Sequence, residues 1–82
     1  MNEVVIRYIN ILKDMGYEPI QCSDYFHRSH LVWMLEQILH NETQSLTKKH
    51  RWLGFIQGVL CLQGTLDVDT ERNLTRNCFN GD

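Results

Sequence analysis

The stretch Lys48-Lys49-His50-Arg51-Trp52-Leu53-Gly54-Phe55-Ile56-Gln57-Gly58-Val59-Leu60-Cys61-Leu62-Gln63 decides the fold. Trp52, Phe55, Ile56, Val59 and Leu60 recur at the spacing of one helical face. Leu53 and Leu62 widen that face until the helix is apolar nearly all round, which predicts a central helix. Thr47 is a suitable N-cap and Gly64 a suitable stop. Gly54 and Gly58 stand on the remaining side. Each costs about 1 kcal/mol relative to alanine inside a helix, so their pairing predicts close approach of another backbone.

Working outward, the segment Arg28 to Asn41 reads as a helix with Leu31, Met34, Leu35, Ile38 and Leu39 on its buried stripe. Before it, Asn2 to Met15 reads as another. Val4, Tyr8, Ile11, Leu12 and Met15 share its inner face, and Gly16 ends it in a left-handed residue. Ile6 and Ile9 fall off that face and call for either a second neighbour or a partner. Between these helices Pro19 holds Glu18 extended, and Ser23 or Asp24 caps a short turn containing Tyr25 and Phe26. After Gly64, Asp67 or Asp69 caps a fourth helix that reaches Cys78, with Leu74 and Cys78 inward and a frayed tail from Phe79 to Asp82. No segment alternates at the period of a strand. The expected fold is all-α, a compact bundle of about four short helices in one domain, residues 1–82.

Composition sets further bounds. A hydrophobic fraction of 43% suits a folded chain, and 82 residues close only one core. A net charge of −2 supplies no general field for nucleic acid, although a local basic patch can still act. The longest apolar run is far below the roughly 20 residues of a membrane span. Met1, Asn2 and Glu3 lead directly into an amphipathic pattern rather than a secretory leader, so the expected location is the cytoplasm. Cys22, Cys61 and Cys78 are an odd number and read as free thiols.

The chain offers little chemistry. Cys22, His27 and His30 lie close in sequence, but a structural zinc site needs four ligands, so His50 or Cys61 would have to complete it across the fold. Ordinary surface histidines and a loop thiol explain the same spacing. Cys22 with His27 or His30 is the one conceivable nucleophile and base pair, and no oxyanion site accompanies it. The expectation is therefore no enzyme, no cofactor and no metal.

Binding surfaces are more legible. Lys48, Lys49, His50 and Arg51 occupy a helix start, where free amides already favour anions. The cluster is either a site for phosphate or an acidic protein surface, or a solvated charge run. Trp33 lies opposite the apolar stripe of its helix, among Ser29, Glu36, Gln37 and His40. Either the 17–27 connector folds over it or a partner does. Arg72 and Arg76, with Arg51, outline a second basic surface, and the run Gly54 to Arg76 has a helix-turn-helix outline. Asp67, Asp69 and Glu71 oppose that reading, because they would repel phosphate.

The string Arg51-Trp52-Leu53-Gly54-Phe55-Ile56-Gln57-Gly58-Val59-Leu60, then Glu71-Arg72-Asn73-Leu74-Thr75-Arg76, and the string His30-Leu31-Val32-Trp33-Met34-Leu35 resemble small accessory proteins of bacteriophages and prophages. The resemblance covers about half of the chain and implies action in the cytoplasm of an infected bacterium. It supplies no site residues. The resulting expectation is a phage-type accessory protein that binds and modulates a host protein through Trp33, His30, His40, Lys48, Lys49 and Arg51. The alternatives are a nucleic-acid-binding regulator using Arg51, Arg72 and Arg76, or a nucleotide or small-anion binder at Lys48 to Arg51. Ile6, Ile9, Trp33 and the glycine face favour a homo-oligomer.

Overall fold

The two glycines with positive φ mark where the chain turns: Gly16 at 96° and Gly64 at 76°. Both sit one residue beyond a helix C-cap and close a Schellman motif, in which orphan carbonyls of the last turn accept from the following amides. At Gly16 the Tyr17 amide donates to the Leu12 carbonyl at 3.0 Å and the Gly16 amide to Lys13 at 2.9 Å. At Gly64 the matching bonds run from Thr65 to Leu60 at 2.9 Å and from Gly64 to Cys61 at 3.0 Å. A computed structural model describes the backbone of residues 1–79 and the side-chain surroundings of residues 1–75. The expectations for the Arg76 and Cys78 side chains and for residues 80–82 lie outside the described residues.

The order is α1 (Asn2–Asp14), α2 (Arg28–His40), α3 (Leu46–Leu62) and α4 (Val68–Phe79), with no strand among the described residues. This is the all-α bundle of short helices that the periodicity predicts. α1 packs most extensively on α2, α2 on α3, and α3 on α4. The core joins Val5, Tyr8 and Leu12 of α1 to Leu31, Leu35 and Ile38 of α2 and to Leu53, Ile56 and Leu60 of α3. Leu66, in the turn before α4, closes it. No helix among the described residues is long and apolar enough to cross a membrane.

Several local expectations change. α1 is rotated from the expected face: Val5 and Ile9 are buried, Val4 and Ile11 are half-buried, and Met15 is exposed. Val5, Tyr8, Ile9 and Leu12 form an equally good helical stripe that packs into the core, and in this rotation Arg7 and Tyr8 reach Glu71 of α4. α3 begins two residues earlier than expected. Ser45, not Thr47, is its N-cap, with the Lys48 amide donating to Ser45 Oγ at 3.1 Å. The helix is not buried all round, since Leu62 is 87% exposed and Phe55 opens to solvent. No backbone among the described residues approaches Gly58, where an added Cβ meets open space. Asp67 caps α4, accepting from the Thr70 amide at 2.9 Å, while Leu74 points outward rather than inward. Glu71, in the first turn of α4, is buried and bonded to α1.

Candidate functional site

The connector between α1 and α2 is tied down along its length. Asp24 Oδ1 accepts from the Phe26 amide at 3.1 Å, and the Ile20 amide donates to the Ser29 carbonyl at 3.1 Å. Gln63 Nε2 donates to the Phe26 carbonyl at 2.9 Å, holding the connector to the end of α3. Arg28 reaches Tyr17 Oη at 3.4 Å and Thr65 Oγ1 at 3.3 Å, with its guanidinium over the Tyr17 ring. These bonds stand the connector up beside α2 and α3 as a wall.

Between that wall and the two helices lies a cleft of about 560 Å³, within the usual range for ligand pockets. Tyr25 lines the connector side, His30 and Trp33 the α2 side, and Arg51, Trp52 and Phe55 the α3 side. The rings touch in series. Tyr25 to His30 is 5.2 Å between centroids, His30 to Trp33 is 5.4 Å and stacked, and Trp33 to Trp52 is 6.3 Å. Phe26 extends the apolar surface outward, 5.9 Å from Phe55. Lys48 places its ammonium 5.0 Å from the centre of the Trp52 ring at the rim. Tyr25 and Phe26 are about 60% exposed, so this aromatic face is only partly covered by the chain itself.

The structure brings three of the expected binding residues into this one cleft: Trp33, His30 and Arg51. Lys48 joins them through its contact with Trp52. Trp33 is half-buried, and its cover comes from α3 as well as the connector. His30 is a corrected case, since at 4% exposure it forms part of the lining rather than a free contact. Its Nδ1 accepts the Cys22 amide at 3.3 Å, and burial pushes the imidazole below the usual histidine value against a smaller opposing pull from Asp24. Lys49 is half-buried outside the cleft lining, and exposed His40 lies 3.4 Å from Glu36, which also pairs with Lys13. Arg72 lines a separate groove with Gly54 and Gly58. Cys22 Sγ contacts the Asp24 carbonyl at 3.5 Å, and no group of three or more histidine, cysteine or acidic side chains that could hold a metal occurs among the described residues.

Sequence reasoning placed Trp52 and Phe55 on the apolar face of α3 and did not single them out as cleft residues; Trp52 packs against the core as well as lining the cleft. The available signal was the excess width of the α3 apolar face, more than three neighbouring helices need to cover. It also missed a polar cluster on the opposite side of α3. Arg7 grips both Glu71 carboxylate oxygens at 2.8 Å, and Tyr8 Oη donates to Glu71 Oε2 at 2.9 Å. Gln57 Nε2 donates to Tyr8 Oη at 3.1 Å and to Thr75 Oγ1 at 2.9 Å. Hydrogen bonding from Arg7 holds the Glu71 carboxyl below its ordinary value, and burial raises the Tyr8 phenol. These bonds join α1, α3 and α4, so the cluster ties helices together. Comparison with family models, with curated proteins and with solved structures returned no match to this chain, and the cleft is therefore read from its own geometry.

Proposed function

We propose that this chain is a small helical accessory protein that binds and modulates another protein through the aromatic cleft, without chemistry of its own. The observation that carries the reading is the open run of Tyr25, Trp33, Trp52 and Phe55 around one concave surface, with Arg51 in its wall. Aromatic side chains and arginine dominate the energetics of protein interfaces, and they do so from partly enclosed, water-excluding pockets. The resemblance of the α2, α3 and α4 strings to phage accessory proteins supports a host protein as the partner and the bacterial cytoplasm as the place. The test is affinity capture from bacterial lysate with the wild type, Trp33→Ala and Phe55→Ser. Loss of the same captured proteins by both variants supports the reading. Equal recovery by all three removes the cleft from it.

A second reading, binding of a nucleotide or other small aromatic anion, is favoured by Lys48 and Arg51 standing beside stacked rings. A ligand selective for the folded state raises the melting temperature, so a nucleotide panel in a thermal-shift assay tests it. The nucleic-acid reading through Arg51 and Arg72 draws less support, because these arginines line different hollows. Self-association is proposed for the exposed Ile6 and Leu62 rather than for Ile9, which is buried, and light scattering of an Ile6→Lys, Leu62→Lys variant tests it.

A further inference from the structure

The distribution of unpaired charge around the cleft narrows the kind of partner. The ion pairs among the described residues involve Arg7, Lys13 and His40, all with Glu71 or Glu36 and all away from the cleft. Lys48, Lys49 and Arg51 make no ion pair among the described residues. Lys48 lies against Trp52, and Arg51 is an exposed part of the cleft wall. No acidic residue among the described residues lines the cleft. The connector carboxylate Asp24 accepts the Phe26 amide and acts on His30. The first turn of α3 likewise contains no acid. An apolar hollow is thus rimmed on its α3 side by cations that make no ion pair among the described residues, beside the positive end of a helix.

We infer that the occupant of the cleft is an acidic segment of a partner protein that seats one apolar or aromatic side chain among the rings and sets its carboxylates against Arg51 and Lys48. This deepens the protein-binding reading and rests on it. The arrangement divides the labour as interfaces commonly do: the desolvated anchor supplies affinity, and the rim charges select the partner and raise the association rate. The ring geometry favours a side chain over an intercalated base. Trp33 and Trp52 are already in contact at 6.3 Å between centroids and tilted by 40°, so they form a lining rather than a slot.

The chain carries its own reporter, because its two tryptophans, Trp33 and Trp52, both line the cleft. Their fluorescence is titrated with a short peptide carrying one phenylalanine among aspartates and glutamates. Four further probes are a lysine-flanked version, a glutamine- and serine-flanked version, an acidic version with alanine for phenylalanine, and oligo-thymidylate. The acidic phenylalanine peptide binds saturably and more weakly as salt rises, and both the lysine-flanked and the alanine versions bind about tenfold or more weakly. Arg51→Glu reverses the order of the acidic and lysine-flanked peptides. That variant keeps its fold, since Arg51 is exposed and holds no partner within the described chain, and circular dichroism checks this. Equal binding of the acidic and neutral phenylalanine peptides, with loss in Phe55→Ser, overturns the acidic occupant and leaves the protein-binding reading standing. Tighter binding of oligo-thymidylate than of any peptide overturns both, as does the absence of any fluorescence response to every peptide.

Discussion

Replacing Glu71 by glutamine removes one charge from the most interconnected polar cluster in the molecule. The carboxylate is only 4% exposed, accepts two bonds from Arg7 at 2.8 Å, and accepts a third from Tyr8 at 2.9 Å. All three donors point at it, so the new amide can satisfy some of them with its oxygen while its NH2 group faces another donor. Breaking a buried pair by neutralising one partner costs about 3–5 kcal/mol. Here the Arg7 side chain is 35% exposed, and water can recover part of its solvation. The expected loss is therefore nearer 2–3 kcal/mol, the scale of one or two charge-assisted hydrogen bonds. A chain of 82 residues has about 4–12 kcal/mol in total, so the variant forfeits a large share. At roughly 4–8 °C per kcal/mol, the melting temperature falls by about 10–20 °C. Thermal and urea unfolding followed by circular dichroism measures this, and a double-mutant cycle with Arg7→Met isolates the pair. The pH dependence has a definite sign. The folded Glu71 pKa is lowered, so its contribution is complete above the unfolded carboxylate value, about 4.3, and is lost as pH falls through the folded value. The variant accordingly shows a shallower acid limb. A melting temperature within about 2 °C of wild type, with an unchanged acid limb, would refute the reasoning.

Three further outcomes follow from local geometry. Gly58→Ala stabilises the chain by about 0.5–1 kcal/mol, because the site is helical and open, whereas Gly64→Ala at φ 76° destabilises it by about 1 kcal/mol, and paired urea titrations check the opposite signs. Ser45→Ala lowers stability by about 1 kcal/mol, while Thr47→Ala changes it by less than about 0.5 kcal/mol, which the same titrations resolve. Acidification loosens the connector: His30 Nδ1 must accept the Cys22 amide, and its lowered folded pKa means that stability present above about 6.5 is lost as pH falls through the folded value. Protonation is opposed by burial and assisted by Asp24 and by a hydrogen bond to the Ile20 backbone; Cys22 amide protection that falls on acidification in the wild type toward the low level of His30→Phe, itself insensitive to pH in this range, confirms the role.

The helices and their stops were readable because Gly16 and Gly64 punctuate strong apolar periods. What the sequence left open was rotation about the helix axes. Two stripes share Tyr8 and Leu12 in α1, and the choice between them rests on partners distant in the chain, among them Glu71, 63 residues from Tyr8. Ser45 and Thr47 are both competent caps, and choosing Ser45 leaves Leu46 exposed, a local cost set against two more residues of helix. Trp52 and Phe55 looked like core because periodicity reports apolarity, not whether a neighbouring element exists to cover it. Trp33, Arg51 and Lys48 were individually visible, and their convergence was not, because it depends on how α2 packs on α3, and the wall opposite them depends on a connector held by side-chain bonds from Arg28 and Gln63.

The Arg7–Glu71 grip also bears on how fast the molecule comes apart. Its two halves are 64 residues apart along the chain, so closing it must follow the collapse of the more local α1–α2 and α2–α3 contacts. An interaction made after the folding transition state scarcely alters the rate of folding and mainly slows unfolding. The fastening between the first and last helices therefore acts as a kinetic latch, lengthening the life of the assembled state more than it hastens its arrival.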